Sequence, residues 1–388
     1  MGKKLNGITI VTVAAATLAS AAPAHGAFSD VPSGHWAASA IRYVAEDRAW
    51  MRDFGTVEFR PGRFLLRRQL ARAVVRAFAL SDDPDPSITF SDLPESDPYY
   101  RYANVAVKRK WMVRSGGQRF RPDDRVSKTE LDRVLVKALG LRREVRGLDA
   151  IQTADGKSLA HPPGFPYLVL ALELGLHYNH PTSSERRELI PRENVLRADA
   201  AYALYRAALA RGTYRISALE RYRTVVLPRM NASKRQVVEW SFRFAGYPYV
   251  YAGEWHKRTP SGYCCGAQAN GGFDCSGFAW WVLARPTSGW DNTKFRPYTG
   301  WRLPERASRY MAKGTSDRLT WKESRATDLM FFDGDGGKRW EGVDHAGIYL
   351  GRGWIIDSSS SRDGVSLSWA RTGWYRQNFV WSRRVVRT

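Results

Sequence analysis

Three residues in the C-terminal part of the sequence, Cys275, His345 and Asp357, are of the types that perform nucleophilic catalysis. A cysteine thiol attacks a carbonyl carbon when an imidazole accepts its proton and a third polar group holds the imidazole ring. The pattern predicts a site for thiol acyl transfer if the fold brings the three side chains together. The alternatives are that Cys275 is a buried structural thiol and that His345 is a solvated strand residue.

Cys275 lies in a Phe-Asp-Cys-Ser-Gly-Phe segment, where an apolar helical pattern begins and continues until Pro286 stops it. Asp274 or Ser276 is suited to the start of that helix. The first turn of a helix presents unpaired backbone N–H groups and the positive end of the helix dipole, which lower the pKa of a thiol. The sequence therefore predicts that Cys275 is a nucleophile at a helix N-terminus.

His345 begins an alternating segment that is followed by Gly-Arg-Gly at 351–353 and by a returning strand. If those three residues form the loop of a hairpin, Asp357 faces Gly347 and shares one face of the hairpin with His345 as its diagonal neighbour. A carboxylate at that place would fix the tautomer of the imidazole and raise its basicity. An earlier helix is predicted over 233–244, with Ser233 as its N-cap.

The other two cysteines, Cys264 and Cys265, are adjacent and lie in a glycine-rich stretch just before the nucleophile. They lack the Cys-x-x-Cys spacing of a zinc site, so we predict no metal and no cofactor. Three interpretations of this stretch, 255–272, stay open: a vicinal disulfide, an intermolecular disulfide, or two thiols bordering the cleft.

The N-terminal residues are typical of an export signal, with Lys3 and Lys4 followed by an apolar run over 8–22 and by small residues. We predict a signal peptide over 1–26 and no membrane span in the mature protein, with a retained N-terminal anchor as the alternative. The expected location is outside the cell, in the cell wall or at the cell surface.

The sequence is strongly basic, with 60 Lys and Arg against 38 Asp and Glu and a formal net charge of +22. Such a charge favours polyanions, and for an exported protein these are anionic wall polymers or an acidic cell surface. The sequence offers no recognition helix, base-stacking module or zinc site, so we predict no binding of nucleic acid.

The first half of the sequence contains an internal repeat. Phe-Ser-Asp-Val-Pro at 28 recurs as Phe-Ser-Asp-Leu-Pro at 90, and Phe-Arg-Pro at 59 recurs at 120, with Leu-Ile-Pro at 189 as a third copy. Six positions after the proline of Phe-Arg-Pro or Leu-Ile-Pro, each copy has a basic residue: Arg67, Lys128 and Arg197. Each copy then enters an amphipathic helix, and aromatic pairs indicate another helix before it. Each unit is therefore predicted to be a helical hairpin that packs on its neighbours.

These features resemble S-layer homology repeats, in which a Phe-x-Asp-Val-Pro opening and a Phe-Arg-Pro precede a Thr-Arg-Ala-Glu-like turn. The resemblance implies an α-helical, pseudo-threefold module that binds an anionic secondary cell-wall polymer through Arg67, Lys128 and Arg197. The alternative is that these bases only cap or solvate helices. The third copy lacks the opening signature. The predicted units are 28–89, 90–147 and 148–209, with a linker at 210–232.

The sequence from about 233 to 380 resembles the NlpC-type family of papain-like cell-wall peptidases, and we predict such a domain over 233–388. The resemblance rests on four motifs: Pro-Tyr-x-x-x-Gly at 248, Asp-Cys-Ser-Gly at 274, Asp-Leu-x-Phe-Phe at 328, and His-x-Gly-Ile-Tyr-Leu-Gly-x-Gly at 345. It implies an α+β fold in which a small antiparallel sheet packs on the nucleophile helix. The whole chain is thus predicted to be multidomain.

The resemblance also implies roles for individual residues. Cys275 would be the nucleophile, His345 the general base, and Asp357 the third polar residue, where family members usually carry His, Asn or Gln. Three more residues would line or flank the substrate cleft: Tyr249, Asp274 and Ser276. The implied activity is hydrolysis of peptidoglycan stem peptides, most often between γ-D-glutamate and a diamino acid. The alternatives are an amidase or an acyltransferase on the same scaffold, and a catalytically inactive wall-binding protein of the S-layer type.

Overall fold

A computed structural model describes residues 28–286 and 293–388. It contains an α-helical part formed by the repeats and an α+β part that begins near residue 232, so the predicted fold class is confirmed. The predicted signal peptide, 1–26, lies outside the described residues. Among the helices of the described ranges, none has the length and apolar character needed to cross a membrane.

Each repeat contributes two principal helical segments, and in each the later one carries the apolar positions marked by the sequence pattern. Leu70, Leu131 and Leu204 of these later helices are at most 2% exposed. The segments are α1 (Ala38–Ile41) with a π-helical continuation (Arg42–Asp47), α2 (Arg67–Phe78), α3 (Tyr100–Lys108), a 3-10 turn (Gly116–Gln118), α4 (Lys128–Ala138), α5 (Arg142–Asp149), α6 (Phe165–Leu174), a 3-10 helix (Thr182–Arg187) and α7 (Arg197–Ala210).

A closed ring of backbone hydrogen bonds joins the equivalent turns of the three repeats. The amide of Leu65 donates to the carbonyl of Val195 at 3.0 Å, and that of Val126 donates to Leu65 at 3.0 Å. The amide of Val195 completes the ring by donating to Val126 at 2.9 Å. Because each turn receives its partner from another repeat, the three repeats form one pseudo-threefold unit.

The basic residue two positions after each ring member is buried between repeats. Each donates to a carbonyl at the start of the equivalent proline motif in another repeat: Arg67 Nε to Phe120 at 3.0 Å, Lys128 Nζ to Leu189 at 3.1 Å and Arg197 Nε to Phe59 at 2.8 Å. The three residues are only 8%, 2% and 0% exposed. Their charged groups thus form hydrogen bonds inside the module and join neighbouring repeats. The predicted contact of these three residues with a polymer is corrected: their role in this structure is structural.

The predicted linker, 210–232, is a docked segment with structure of its own. It contains α8 (Tyr214–Ala218) and a 3-10 helix (Leu219–Arg223), and its short strand pairs in parallel with an earlier one, β1 (Gln152–Thr153) with β2 (Val226–Leu227). Tyr222 is 1% exposed, and its hydroxyl donates to the carbonyl of Leu367 at 2.6 Å. The segment therefore packs against both the repeats and the C-terminal part.

The C-terminal part is built around a five-stranded antiparallel sheet of order β8-β7-β6-β5-β9. Its elements are α9 (Ala232–Phe242), β3 (Glu254–Trp255), β4 (Gly272–Phe273), α10 (Cys275–Leu283), a 3-10 turn (Thr293–Phe295), α11 (Ser308–Lys313), β5 (Leu329–Phe332), a 3-10 turn (Trp340–Gly342), β6 (His345–Gly351), β7 (Trp354–Ser359), β8 (Gly364–Trp369), α12 (Gly373–Asn378) and β9 (Phe379–Arg383). The cap of α9 is Asn231 and not Ser233, since the Asn231 side chain accepts from the Lys234 amide at 3.0 Å.

Two features of this domain position the reactive residues. Helix α10 is buried along its whole length and packs against β6 and β7. The β6–β7 register pairs Ile348 with Ile356 and Tyr349 with Ile355, which sets Asp357 opposite Gly347 as predicted. The hairpin turns at Arg352 and Gly353, both with positive φ, after an irregularity at Gly351.

Candidate active site

Cys275 is the first residue of α10, and among the described residues it is the one cysteine outside a disulfide. Asp274 caps the helix, because its carboxylate accepts from the Gly277 amide at 2.5 Å. The Cys275 sulfur lies 3.7 Å from the carbonyl oxygen of Asp344, next to the start of β6. The Cys275 amide occupies a helix position that has no intrahelical acceptor, so it is available to a developing negative charge on a substrate.

His345 stands between Cys275 and Asp357. Its Nε2 lies 2.7 Å from Oδ2 of Asp357, whose side chain is 1% exposed. Since Nε2 is engaged by the carboxylate, Nδ1 is the ring nitrogen that remains for the thiol. The three residues predicted from the sequence are therefore brought together in one cluster.

The protonation of His345 follows from this environment. Burial would lower its pKa, but the hydrogen bonds to Asp357 and Cys275, together with the charges of both groups, raise the pKa to about 10. An imidazole of that basicity is protonated at neutral pH and stabilises a neighbouring thiolate. The arrangement is suited to hold a thiolate and an imidazolium as a pair.

Two residues that the sequence reasoning missed support Asp357. The hydroxyl of Tyr375, on α12, donates to Oδ2 of Asp357 at 2.7 Å. Arg362 in turn donates to the Tyr375 hydroxyl at 2.9 Å. Burial raises the pKa of Tyr375 well above its usual value, so the hydroxyl stays a donor. Neither residue belongs to a motif in the sequence: Arg362 lies in the turn between β7 and β8, and Tyr375 is brought to the site by α12.

The cluster opens into a cleft of about 890 Å³. The C-terminal domain supplies one wall, including Trp374, whose ring meets that of His345 edge-on at 5.6 Å between centroids. The docked segment supplies Arg215 and Tyr222, and α6 of the third repeat supplies Glu173. The repeats and the segment that follows them therefore form part of the cleft itself.

Tyr249 lines the cleft, as the sequence predicted. Burial and the nearby Cys275 raise the pKa of its hydroxyl above the usual value. It therefore offers a neutral hydrogen-bond donor close to the reacting sulfur.

Asp274 and Ser276 do not line this cleft. Their side chains face Arg306, whose Nη1 lies 3.0 Å from Asp274 Oδ1 and 2.9 Å from Ser276 Oγ. Arg306 also donates to Glu254 at 2.7 Å and to the carbonyl of Gly253 at 2.9 Å. The predicted substrate-binding role of Asp274 and Ser276 is corrected: both fix the start of α10 to the preceding loop.

Cys264 and Cys265 form a vicinal disulfide, one of the interpretations that the sequence left open. Their sulfurs and a carboxylate oxygen of Glu254 lie within 4.8 Å of one another. Sulfurs that are bonded to each other lack the thiolate that binds zinc, and Glu254 is already paired with Arg306. The donor set therefore does not suit a metal in this state.

Comparison with known families identifies two regions of the chain. Residues 246–384 match the model of the NlpC/P60 family, and residues 89–131 match the model of the S-layer homology domain. The second match begins with the second repeat. Both resemblances predicted from the sequence are confirmed.

Individual relatives follow the same division. An S-layer protein of Bacillus thuringiensis subsp. finitimus is 25% identical over 238 residues, which are 61% of this chain and 28% of the relative. The bifunctional muramidase/DL-endopeptidase CwlT of Bacillus subtilis (strain 168) is 28% identical over 146 residues, which are 37% of this chain and 34% of the relative. The chain thus spans about a third or less of the length of these relatives.

Among solved structures, an NlpC/P60 family protein from Bacillus cereus ATCC 10987 is similar with a TM-score of 0.30 and 24% identity, over 39% of this chain and 40% of that one. The family assignment rests on the family models and the residues they match. The chain joins a region that matches the S-layer homology domain to a C-terminal region, 246–384, that matches the NlpC/P60 family.

Proposed function

We propose that this protein is a cell-wall cysteine endopeptidase that hydrolyses amide bonds in the stem peptides of peptidoglycan. The observation that carries the proposal is the cluster of Cys275, His345 and Asp357 at the head of α10, open to a cleft. The family of the C-terminal domain and its similarity to a DL-endopeptidase support it.

The geometry supports a two-step acyl transfer. The Cys275 thiolate attacks the carbonyl carbon, and the Cys275 amide donates to the oxyanion that forms. The imidazolium of His345 gives its proton from Nδ1 to the leaving amine, which departs with the C-terminal part of the peptide. Water then attacks the thioester, His345 accepts its proton, and the carboxylic acid product leaves as the thiolate is restored.

The charge of the cleft suits an anionic peptide. Arg215 and Arg221 lie at its rim, and neither forms an ion pair with a described residue. A glutamate linked through its γ-carbonyl keeps its α-carboxylate free, close to the scissile amide. Such a carboxylate would meet these guanidinium groups, and for this reason we propose the bond between γ-D-glutamate and a diamino acid as the site of cleavage.

We further propose that the repeat module holds the enzyme at the cell wall by binding an anionic secondary polymer. The S-layer homology match and the formal charge of +22 support this location. Because Arg67, Lys128 and Arg197 are occupied within the module, the polymer would be bound by other basic side chains on its surface.

Release of fragments from purified sacculi tests the activity. The wild-type protein should release stem-peptide fragments whose masses identify the bond, and Cys275→Ser should release none while still sedimenting with the wall. The double variant Cys264→Ser/Cys265→Ser is the thiol control and should keep the nucleophile intact. Equal release by the wild type and Cys275→Ser would overturn the proposal. Release of whole stem peptides cut from the glycan would identify an amidase instead.

A further inference from the structure

Glu173 lies near the end of α6, in the third repeat, yet its polar partners belong to the C-terminal domain. Its Oε1 lies 2.8 Å from Nε of Arg362. The same oxygen accepts from Ser366 at 3.3 Å and from Ser368 at 3.0 Å, both on β8. The repeat module therefore places a carboxylate inside the neighbouring domain, at the edge of the catalytic cleft.

Arg362 connects this carboxylate to the catalytic cluster. Its guanidinium lies 5.4 Å from the centroid of the Tyr375 ring and donates to the Tyr375 hydroxyl at 2.9 Å. Tyr375 donates to Asp357, and Asp357 holds His345. A continuous series of polar contacts thus runs from α6 of the repeat module to the imidazole.

We propose that Glu173 is a positioning residue for the catalytic site: it neutralises Arg362 and fixes its guanidinium, so that Tyr375 is directed at Asp357 and Asp357 at His345. This inference rests on the proposed function and deepens it, because it makes the wall-anchoring module a working part of the peptidase.

The electrostatic reason lies in the burial of the series. Without Glu173, the positive charge of Arg362 would be unbalanced near Asp357 and would disfavour a protonated His345. The other titratable groups that act on Arg362 are Tyr222 of the docked segment, Tyr375 of α12 and Asp357 itself, and Arg221 acts on Tyr222. Near neutral pH the two tyrosines are uncharged, and Asp357 is the carboxylate that holds His345, so neither they nor Arg221 can replace the negative charge of Glu173.

A purely structural role for Glu173 makes a different prediction. If the ion pair with Arg362 only docks the two parts, its loss would lower stability but leave the ionisation of the thiol and the imidazole unchanged. The pH dependence of thiol reactivity separates the two cases, and it can be measured without a substrate because Cys275 is the free thiol of the described residues.

The experiment measures the rate at which iodoacetamide alkylates Cys275 in the full chain as a function of pH. For Glu173→Gln we expect both inflections of the profile to move to lower pH by about half a unit or more, because added positive charge favours the thiolate and disfavours the imidazolium. We also expect kcat for sacculus hydrolysis to fall about tenfold with little change in KM.

Two matched variants complete the design. Glu144→Gln removes a different carboxylate of the repeats, which pairs with Arg223 away from the cleft, and should leave the inflections in place. Glu173→Gln/Arg362→Gln removes both charges, so it avoids a buried unpaired cation if the single variant does not fold. Its inflections should return towards those of the wild type, while kcat stays low because Tyr375 is no longer held.

Wild-type inflections in Glu173→Gln, or a wild-type kcat in the double variant, would overturn the inference. If the wild type releases no peptide from sacculi but the inflections still shift in Glu173→Gln, the proposed activity fails and the positioning role of Glu173 stands. The two proposals can therefore fail separately.

Discussion

His345 and Tyr375 bind the same oxygen of Asp357, each at 2.7 Å. The other carboxylate oxygen, Oδ1, is buried and has no hydrogen-bond partner among the described residues. All the polar contacts of Asp357 are thus concentrated on the oxygen that orients the imidazole. The hydrogen bond from the Tyr375 hydroxyl thus holds the Asp357 carboxylate in place, and the carboxylate in turn orients the His345 ring.

Replacing Asp357 with Asn tests the charge of this third residue. Asn keeps a hydrogen-bonding group but lacks the negative charge, so the pKa of His345 should fall and the thiolate–imidazolium pair should weaken. We expect kcat to drop by about 10- to 100-fold, measured on a soluble stem peptide. Asp357→Ala, which removes both the hydrogen-bonding group and the negative charge, should lower kcat further. An unchanged kcat in both variants would show that His345 is positioned without Asp357.

Tyr375→Phe should alter the site in the opposite electrostatic sense to Glu173→Gln. Removal of the hydroxyl takes a donor from Asp357, which leaves its charge more available to the imidazolium. The alkaline limb of the activity profile should therefore move to higher pH, while kcat falls several-fold because Asp357 is less well held. Tyr310→Phe, on α11 and outside the cleft lining, serves as the control. If the alkaline limb moved to lower pH instead, the proposed effect of Tyr375 on His345 through Asp357 would be contradicted.

Stability should depend on the ionisation of His345. Its pKa is raised from 6.5 to about 10 in the folded protein. A group whose pKa is raised on folding stabilises the protein fully below its unfolded value and loses that contribution as the pH rises through its folded value. We therefore expect the unfolding free energy to decline between about pH 6.5 and 10. His345→Gln should lack this decline, as chemical denaturation at several pH values will show.

The rim arginines should act on binding more than on chemistry. Arg215→Gln and Arg221→Gln should each raise KM about three- to tenfold with little change in kcat, because a charge-assisted contact is lost in both the ground state and the transition state. A stem peptide with an amidated glutamate α-carboxylate should show no such difference between wild type and variants. Arg229→Gln, 84% exposed and remote from the cleft, is the control. A loss confined to kcat would argue against a carboxylate subsite.

Arg197→Gln should weaken folding of the repeat module. It removes a side chain that is 0% exposed and paired with Asp53 at 2.7 Å, so the unfolding free energy should fall by about 3 kcal/mol or more. Arg121 is half-exposed at the surface of the second repeat, so Arg121→Gln should change the unfolding free energy little. Loss of wall binding with unchanged stability in Arg197→Gln would restore the polymer-contact interpretation.

The local parts of the site could be predicted from the sequence. A helix start at Cys275 and the alternation after His345 are short-range patterns, and the hairpin register then follows from the turn. These patterns fix the direction of each side chain along its own element. They were sufficient to place Asp357 beside His345.

The remaining parts depend on contacts between distant segments. Glu173 lies in a helix whose pattern shows only that the helix is apolar, and its partners are nearly 200 residues away, as in the bond from Ser368. The burial of Arg67, Lys128 and Arg197 was missed for a related reason. A basic residue at a regular interval looks the same in a sequence whether it faces solvent or a neighbouring repeat.

The ring formed by Leu65, Val126 and Val195 has a consequence for how the repeat module folds. Its last member lies in the third repeat, so the ring cannot close until the chain up to Val195 has been synthesised. Until then the first two repeats expose backbone donors and acceptors without partners. We therefore expect the module to fold as a single cooperative event, in which the third repeat supplies the contacts that the first two lack.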